Sequence, residues 1–173
     1  MKKNTSLTDS KKRGSELEPL LHSEHTVFIE KLVVGGDGLA RISYQEKSLV
    51  VFISLVAPNE KVKIRVVRVE KNHLIGELLE ILEASPARRK PLCEYFNICG
   101  GCSWQHITEA EQTHQKEQIL TDLFNKFIPQ AQFELLPTVI SEANFGYRNR
   151  IQLKQIGTEL GYFRKASHQI VDI

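Results

Sequence analysis

From His25 onward, apolar and polar residues alternate at the two-residue period of extended chain. The stretches TVFIEKLVV (26–34), LARISYQEKSLVVFI (39–53) and KVKIRVVRVEKNHLIGELLEIL (61–82) are separated by turn chemistry, Gly-Gly-Asp-Gly at 35–38 and Ala-Pro-Asn-Glu at 57–60. The spacing predicts about five short strands between His25 and Glu83, too close together for a crossover helix, and so a small closed barrel. Within KVKIRVV, Val62, Ile64 and Val66 share one face while Lys61, Lys63 and Arg65 share the other. The Val66-Val67 pair breaks the alternation, and a β-bulge there would return Val67 and Val69 to the inner face.

Pro86 and Pro91 bracket the run Ala87-Arg88-Arg89-Lys90 and mark a boundary. Beyond it, Thr108 with Glu111 three residues later is a capping-box signature and predicts a helix over about 109–127. Its apolar stripe of Ile119, Leu120, Leu123, Phe124 and Phe127 predicts burial of the second half, and Pro129 ends the run. After Pro137, the stretch 147–172 reads as extended: Ile151 and Leu153 alternate with Arg150, Gln152 and Lys154, and Gly157-Thr158 supplies a hairpin turn.

Composition narrows the class. With 41% apolar and 25% charged residues the 173-residue chain is a folding, water-soluble sequence, and its net charge of +2 says little by itself. The distribution says more, because Lys2, Lys3, Lys11, Lys12 and Arg13 crowd the aperiodic first 24 residues as a basic tail. No apolar run approaches the roughly 20 residues of a membrane span, and no hydrophobic segment follows the basic N-terminus as in a signal peptide. Three cysteines cannot pair completely, so a reducing compartment, the cytoplasm, is expected.

All three lie in CEYFNICGGCSWQH, residues 93–106, at the spacing C-x5-C-x2-C. Thiolates prefer zinc, Cu(I) or iron–sulfur centres to hard cations. Gly100 and Gly101 let the backbone turn between Cys99 and Cys102 and leave amides to donate to sulfur. Zinc with His106 as fourth ligand fits this spacing; a [4Fe–4S] cluster needs a fourth thiolate that residues 1–173 lack. Spacing alone leaves both open.

The cysteine segment resembles the cluster signature of the TRAM-containing 23S rRNA (uracil-C5)-methyltransferases. VGGDGLAR (34–41) with the following VFI and APNE resembles the opening of their TRAM barrel, and GYRNRIQLK with LGYFRKASHQIVDI resembles the entry to their central domain. The resemblance covers the chain from residue 25 onward. It implies a basic tail over 1–24, an OB-like TRAM barrel over 25–84, a linker, cluster loop and helix over 85–128, and the start of a mixed α+β central domain over 129–173. It also implies that Cys93, Cys99 and Cys102 are three ligands of a [4Fe–4S] cluster, with a fourth cysteine just after Ile173, and that His106 is not a ligand. Asn59 stands where many relatives have glycine, and asparagine tolerates the left-handed backbone.

The family methylates with S-adenosylmethionine, a nucleophilic cysteine and a carboxylate base, all in a C-terminal catalytic domain absent from residues 1–173, so this portion alone is expected to be inactive. The expected partner is RNA, 23S rRNA first, with no membrane association and a monomeric state. Lys61, Lys63, Arg65, Arg88, Arg89, Arg148 and Arg150 are the candidate phosphate contacts, and Tyr147, Tyr162 and Phe163 the candidate stacking platforms. Two competing readings are a stand-alone TRAM-type RNA-binding module with a structural zinc and a tRNA (uracil-C5)-methyltransferase.

Overall fold

The structure, a computed structural model, describes residues 16–129 and 133–172. The basic tail residues Lys2 to Arg13 and Ile173 lie outside the described residues. The chain divides between Pro86 and Ala87 into two compact units.

In the first unit a 3-10 turn at Glu18–Leu20 precedes six strands: β1 (Glu24–Phe28), β2 (Lys31–Leu32), β3 (Gly38–Tyr44), β4 (Lys47–Ile53), β5 (Lys61–Val69) and β6 (Leu74–Glu83). They form one sheet in the order β1-β5-β6-β4-β3-β2. All neighbours are antiparallel except β4 and β6, since β6 folds back from β5 and inserts between β5 and β4. The closed OB-like barrel expected from the strand spacing is therefore not formed. β1 and β2 are the two edges of an open sheet and are not paired with each other. They are successive parts of one segment that leaves β5 after Phe28 and reaches β3 at Lys31, and the second part is only two residues long.

The alternation in the sequence becomes the core. Val27, Ile29, Ala40, Ile42, Val51, Ile53, Val62, Ile64 and Val66 pack together with Val56 and Leu74. The bulge falls where the pattern breaks, since Val66 pairs with Gly76 and Arg68 with Ile75, leaving Val67 without a partner residue on β6. Val67 does not turn inward as expected; as the extra residue of the bulge it faces solvent, and half-buried Val69 resumes the inner phase. Gly38 must be glycine for want of space, because a Cβ there would sit 2.3 Å from Val56 Cγ2.

The turn at 57–60 is built around a buried carboxylate. Asn59 takes the left-handed backbone anticipated for it, with φ 64°. Glu60 is wholly buried, and its Oε2 accepts a hydrogen bond from the Ala57 amide at 2.8 Å. Its Oε1 accepts a longer one, 3.4 Å, from the Ser85 amide, and its backbone carbonyl accepts from Ile29 N–H. One side chain thus ties the entrance of β5 to the exit of β6.

The second unit holds the helix α1 (Glu109–Phe127) and a three-stranded sheet of β7 (Lys154–Ile156), β8 (Glu159–Phe163) and β9 (Ile170–Val171). The helix has the predicted span, with Thr108 at its N-cap, but no side-chain cap bond forms there. Gln112 Nε2 instead donates to the carbonyls of Trp104 and Ile107 just before the helix, and Glu111 accepts from Gln115 one turn on. The expected burial of the second half is also reversed. Gln115, in the first half, is the buried helix residue, while Leu120, Leu123 and Phe127 of the stripe are exposed. Regular strand begins at Lys154 rather than Ile151, and Gly157, with φ 59°, turns β7 into β8 as the pattern indicated.

Candidate cysteine loop and basic surfaces

The cysteine loop is closed at its neck by backbone pairing. Arg88 and Ile107 form an isolated antiparallel bridge, flanked by hydrogen bonds from Thr108 N–H to Ala87 O and from Arg89 N–H to His106 O. The Arg89 side chain reinforces the neck, donating to Gln105 O at 3.0 Å and pairing with Glu109 in the first turn of α1. That hydrogen bond from Arg89 holds the Glu109 carboxyl below the usual range.

Inside the neck the chain makes tight turns. Cys99 N–H donates to Tyr95 O at 2.7 Å, and Phe96 N–H donates to Cys93 O at 3.2 Å. None of the three cysteines is in a disulfide; Cys99 is buried, and Cys93 and Cys102 are exposed. Gly101 N–H donates to Cys99 Sγ at 3.3 Å. Gln105 uses both ends of its carboxamide, accepting from Cys93 N–H at 3.1 Å and donating to Cys102 Sγ at 3.2 Å. Among the described residues, however, no three His, Cys, Asp or Glu side chains are gathered as a ready-made metal site. The donor set fits a thiolate-bound centre in its chemistry, with free thiols and N–H donors on two sulfurs. His106 is buried with its ring 5.3 Å from that of Phe96, a packing position.

The loop is also tied to the hairpin that follows α1 in sequence. Cys99 and Arg164 form an antiparallel bridge, with Gly100 N–H donating to Phe163 O at 2.9 Å and Lys165 N–H to Ile98 O at 3.1 Å. β9 then pairs with β8 through Phe163–Ile170 and Tyr162–Val171. Gly161 allows this close approach, since a Cβ there would lie 2.1 Å from the Val171 carbonyl oxygen. Spacing along the chain carries no trace of this bridge; Gly100 was the one available signal.

The structure separates the candidate basic residues by how they are engaged. On β5, Lys63 and Arg65 both bind Glu24 across the β1 pairing, at 2.7 and 2.8 Å, and Lys61 binds Glu83 at 2.9 Å. Hydrogen bonds from Lys63 and then Arg65 pull the Glu24 carboxyl from 4.5 to about 2. A carboxyl depressed in the folded state contributes stability above its unfolded value, and that contribution is lost as pH falls through the folded one. The stability difference between the protein and its Glu24→Gln form is therefore expected to shrink as pH falls from about 4.5 towards 2. It should be small throughout, because the pair is open to solvent; urea midpoints across this window check it. Arg89 is held by Glu109, whereas Arg148 and Arg150 are exposed, with Arg148 over the Tyr147 ring at 5.5 Å. Tyr147 is exposed, and Tyr162 and Phe163 are half-buried. No helix among the described residues is long and apolar enough to cross a membrane.

A six-stranded sheet in this order makes up a small all-β unit, and a cysteine loop bridged to a hairpin belongs to the second unit. Residues 22–79 match the TRAM domain family. Over 163 residues, 94% of the chain, it is 43% identical to an uncharacterized RNA methyltransferase of Bdellovibrio bacteriovorus. It is 34% identical over 159 residues to RlmD, the 23S rRNA (uracil(1939)-C(5))-methyltransferase of Histophilus somni, and 34% identical over 143 residues to an uncharacterized RNA methyltransferase of Synechocystis. Residues 22–79 are thus a TRAM domain, and over most of its length the chain is similar to part of RNA methyltransferases. It spans 40%, 35% and 30% of the lengths of these three relatives.

Proposed function

We propose that this chain is the RNA-capturing, cluster-holding part of an S-adenosylmethionine-dependent RNA (uracil-C5)-methyltransferase acting on 23S rRNA. The observation that carries the reading is the similarity to RNA methyltransferases, which extends over 94% of the chain in one relative and 88% in another. Catalysis and methyl-donor binding belong to the whole polypeptide, and no residue of 1–173 is assigned to either. Cys93, Cys99 and Cys102 would hold a [4Fe–4S] cluster together with one thiolate from elsewhere; bound there, the cluster supplies a covalent staple. Its place is the point where the loop already meets the hairpin, in a unit where few apolar side chains are buried.

RNA capture rests on cations that phosphate can reach. Arg148 and Arg150 are open, and Arg148 lies against an exposed aromatic ring. Arg88 sits on the neck bridge and Arg89 in its ion pair. The Lys61, Lys63 and Arg65 row meets phosphate only by exchanging Glu24 and Glu83 for it. The test is methyl transfer by the full-length protein to a 23S rRNA fragment and to a tRNA transcript, read by mass spectrometry of the nucleosides. Methyluridine in the 23S fragment alone is expected. Modification of tRNA alone would reassign the substrate, and modification of neither would remove the methyltransferase reading.

A further inference from the structure

A groove of about 480 Å³ lies where the hairpin meets the cysteine loop. Lys154 of β7 and Arg164, Lys165 and His168 of the turn after β8 line it, together with Tyr162 and Phe163. None of its lining residues is acidic. Among the described residues, no carboxylate lies within ion-pair distance of Lys154, Arg164 or Lys165, in contrast to the paired row on β5. The His168 ring stands edge-on to Phe163, with centroids 5.4 Å apart and planes at 69°. The groove is held by backbone as well: Gly100 N–H on Phe163 O and Lys165 N–H on Ile98 O tie its wall to the loop. Arg164 N–H donates to Gln169 O and Ser167 N–H to Arg164 O, closing the turn on itself.

We propose that this groove binds one nucleotide of single-stranded RNA, its base against the Tyr162, Phe163 and His168 rings and its flanking phosphates on Lys154, Arg164 and Lys165. The inference rests on the RNA reading above and moves its centre from the β5 face to the second unit. Three cations without acid partners attract an anion, but anions alone do not explain two aromatic rings and a histidine in the same walls. A base offers a face for those rings and phosphates on either side of it, and base–aromatic stacking is sequence-tolerant. The volume suits a mononucleotide-sized group, within the roughly 300–1,000 Å³ of small-ligand sites. The bridge from Cys99 to Arg164 means that whatever orders the cysteine loop also orders one wall of the groove.

The experiment measures binding of the whole 173-residue chain to a fluorescent single-stranded oligouridine across a salt series. Its arms are an abasic strand of equal length and a duplex. Arg164→Ala with Lys165→Ala is expected to lower affinity at least tenfold and to flatten the salt slope by roughly 1.4, two phosphates at about 0.7 each. Arg164→Lys with Lys165→Arg should retain the slope and shows that the turn still folds. Arg41→Ala with Lys47→Ala, which removes the same charge from ion-paired positions on the sheet, should change the slope much less. The abasic strand should bind several-fold more weakly than oligouridine, and Phe163→Leu should erase that preference. An unchanged slope in the Arg164/Lys165 alanine variant, or equal binding of the abasic strand, overturns the groove while leaving RNA capture elsewhere intact. Failure of the unaltered chain to bind any strand overturns the groove and the RNA reading together.

Discussion

Anaerobic reconstitution with iron and sulfide is expected to load the full-length protein and to leave its Cys99→Ser form nearly empty. Cys99 is the buried member of the three, receives the Gly101 amide, and sits on the bridge to Arg164. Serine keeps the size but offers a hard, protonated oxygen in place of a soft thiolate. Iron content should fall from about four per chain to a small fraction, with loss of the broad absorption near about 400 nm. Amide exchange around Ile98, Gly100 and Lys165 should quicken as well, because the bridge would lose its staple. His106→Ala is the decisive comparison. Its ring packs on Phe96, so iron loading should survive its removal even if stability drops. Loss of metal on His106→Ala, or colourless zinc in place of iron, would return the site to the zinc alternative.

Glu60→Ala is expected to destabilise the first unit strongly. Burying the Glu60 carboxyl group is tolerated here because backbone amides meet it, Ala57 N–H at 2.8 Å and Ser85 N–H at 3.4 Å. Truncation leaves these donors in a site closed to water, at about 1–3 kcal/mol for a well-made bond and less for the longer one. A loss on the order of 3 kcal/mol would lower the melting temperature of a unit this size by roughly 10–20 °C. Glu60→Gln, which keeps an acceptor oxygen, should recover part of that loss. Thermal melts followed by far-ultraviolet circular dichroism decide the matter, and a shift of only a degree or two would mean that Glu60 is not holding β5 and β6 together.

How far the sequence reaches depends on whether a feature is set by neighbours in the chain. The inward face of Val62, Ile64 and Val66, the break at Val66-Val67, the left-handed Asn59, the span of α1 and the Gly157 turn are all local, and each was legible. They follow from side-chain alternation, helical period and backbone sterics, which act over a few residues. The turn between β3 and β4 was not legible, because Gln45 and Glu46 adopt positive φ without being usual turn residues; the pairing of Tyr44 with Lys47 imposes it.

By itself, then, the sequence determined a β-rich front unit, which matches the TRAM domain, a thiol-bearing loop and a helix. Only tertiary structure decided the rest. Strand spacing does not specify which strands meet, so the sheet's open edges at β1 and β2 had to be seen. A row of lysines and arginines reads as a binding face until Glu24, more than thirty residues away, is brought across it by the β1–β5 register. The buried Glu60 and the groove beside Cys99 share that origin. Each joins residues far apart in the chain, and side-chain contacts at such separations exist only once the backbone has folded to close the loops between them.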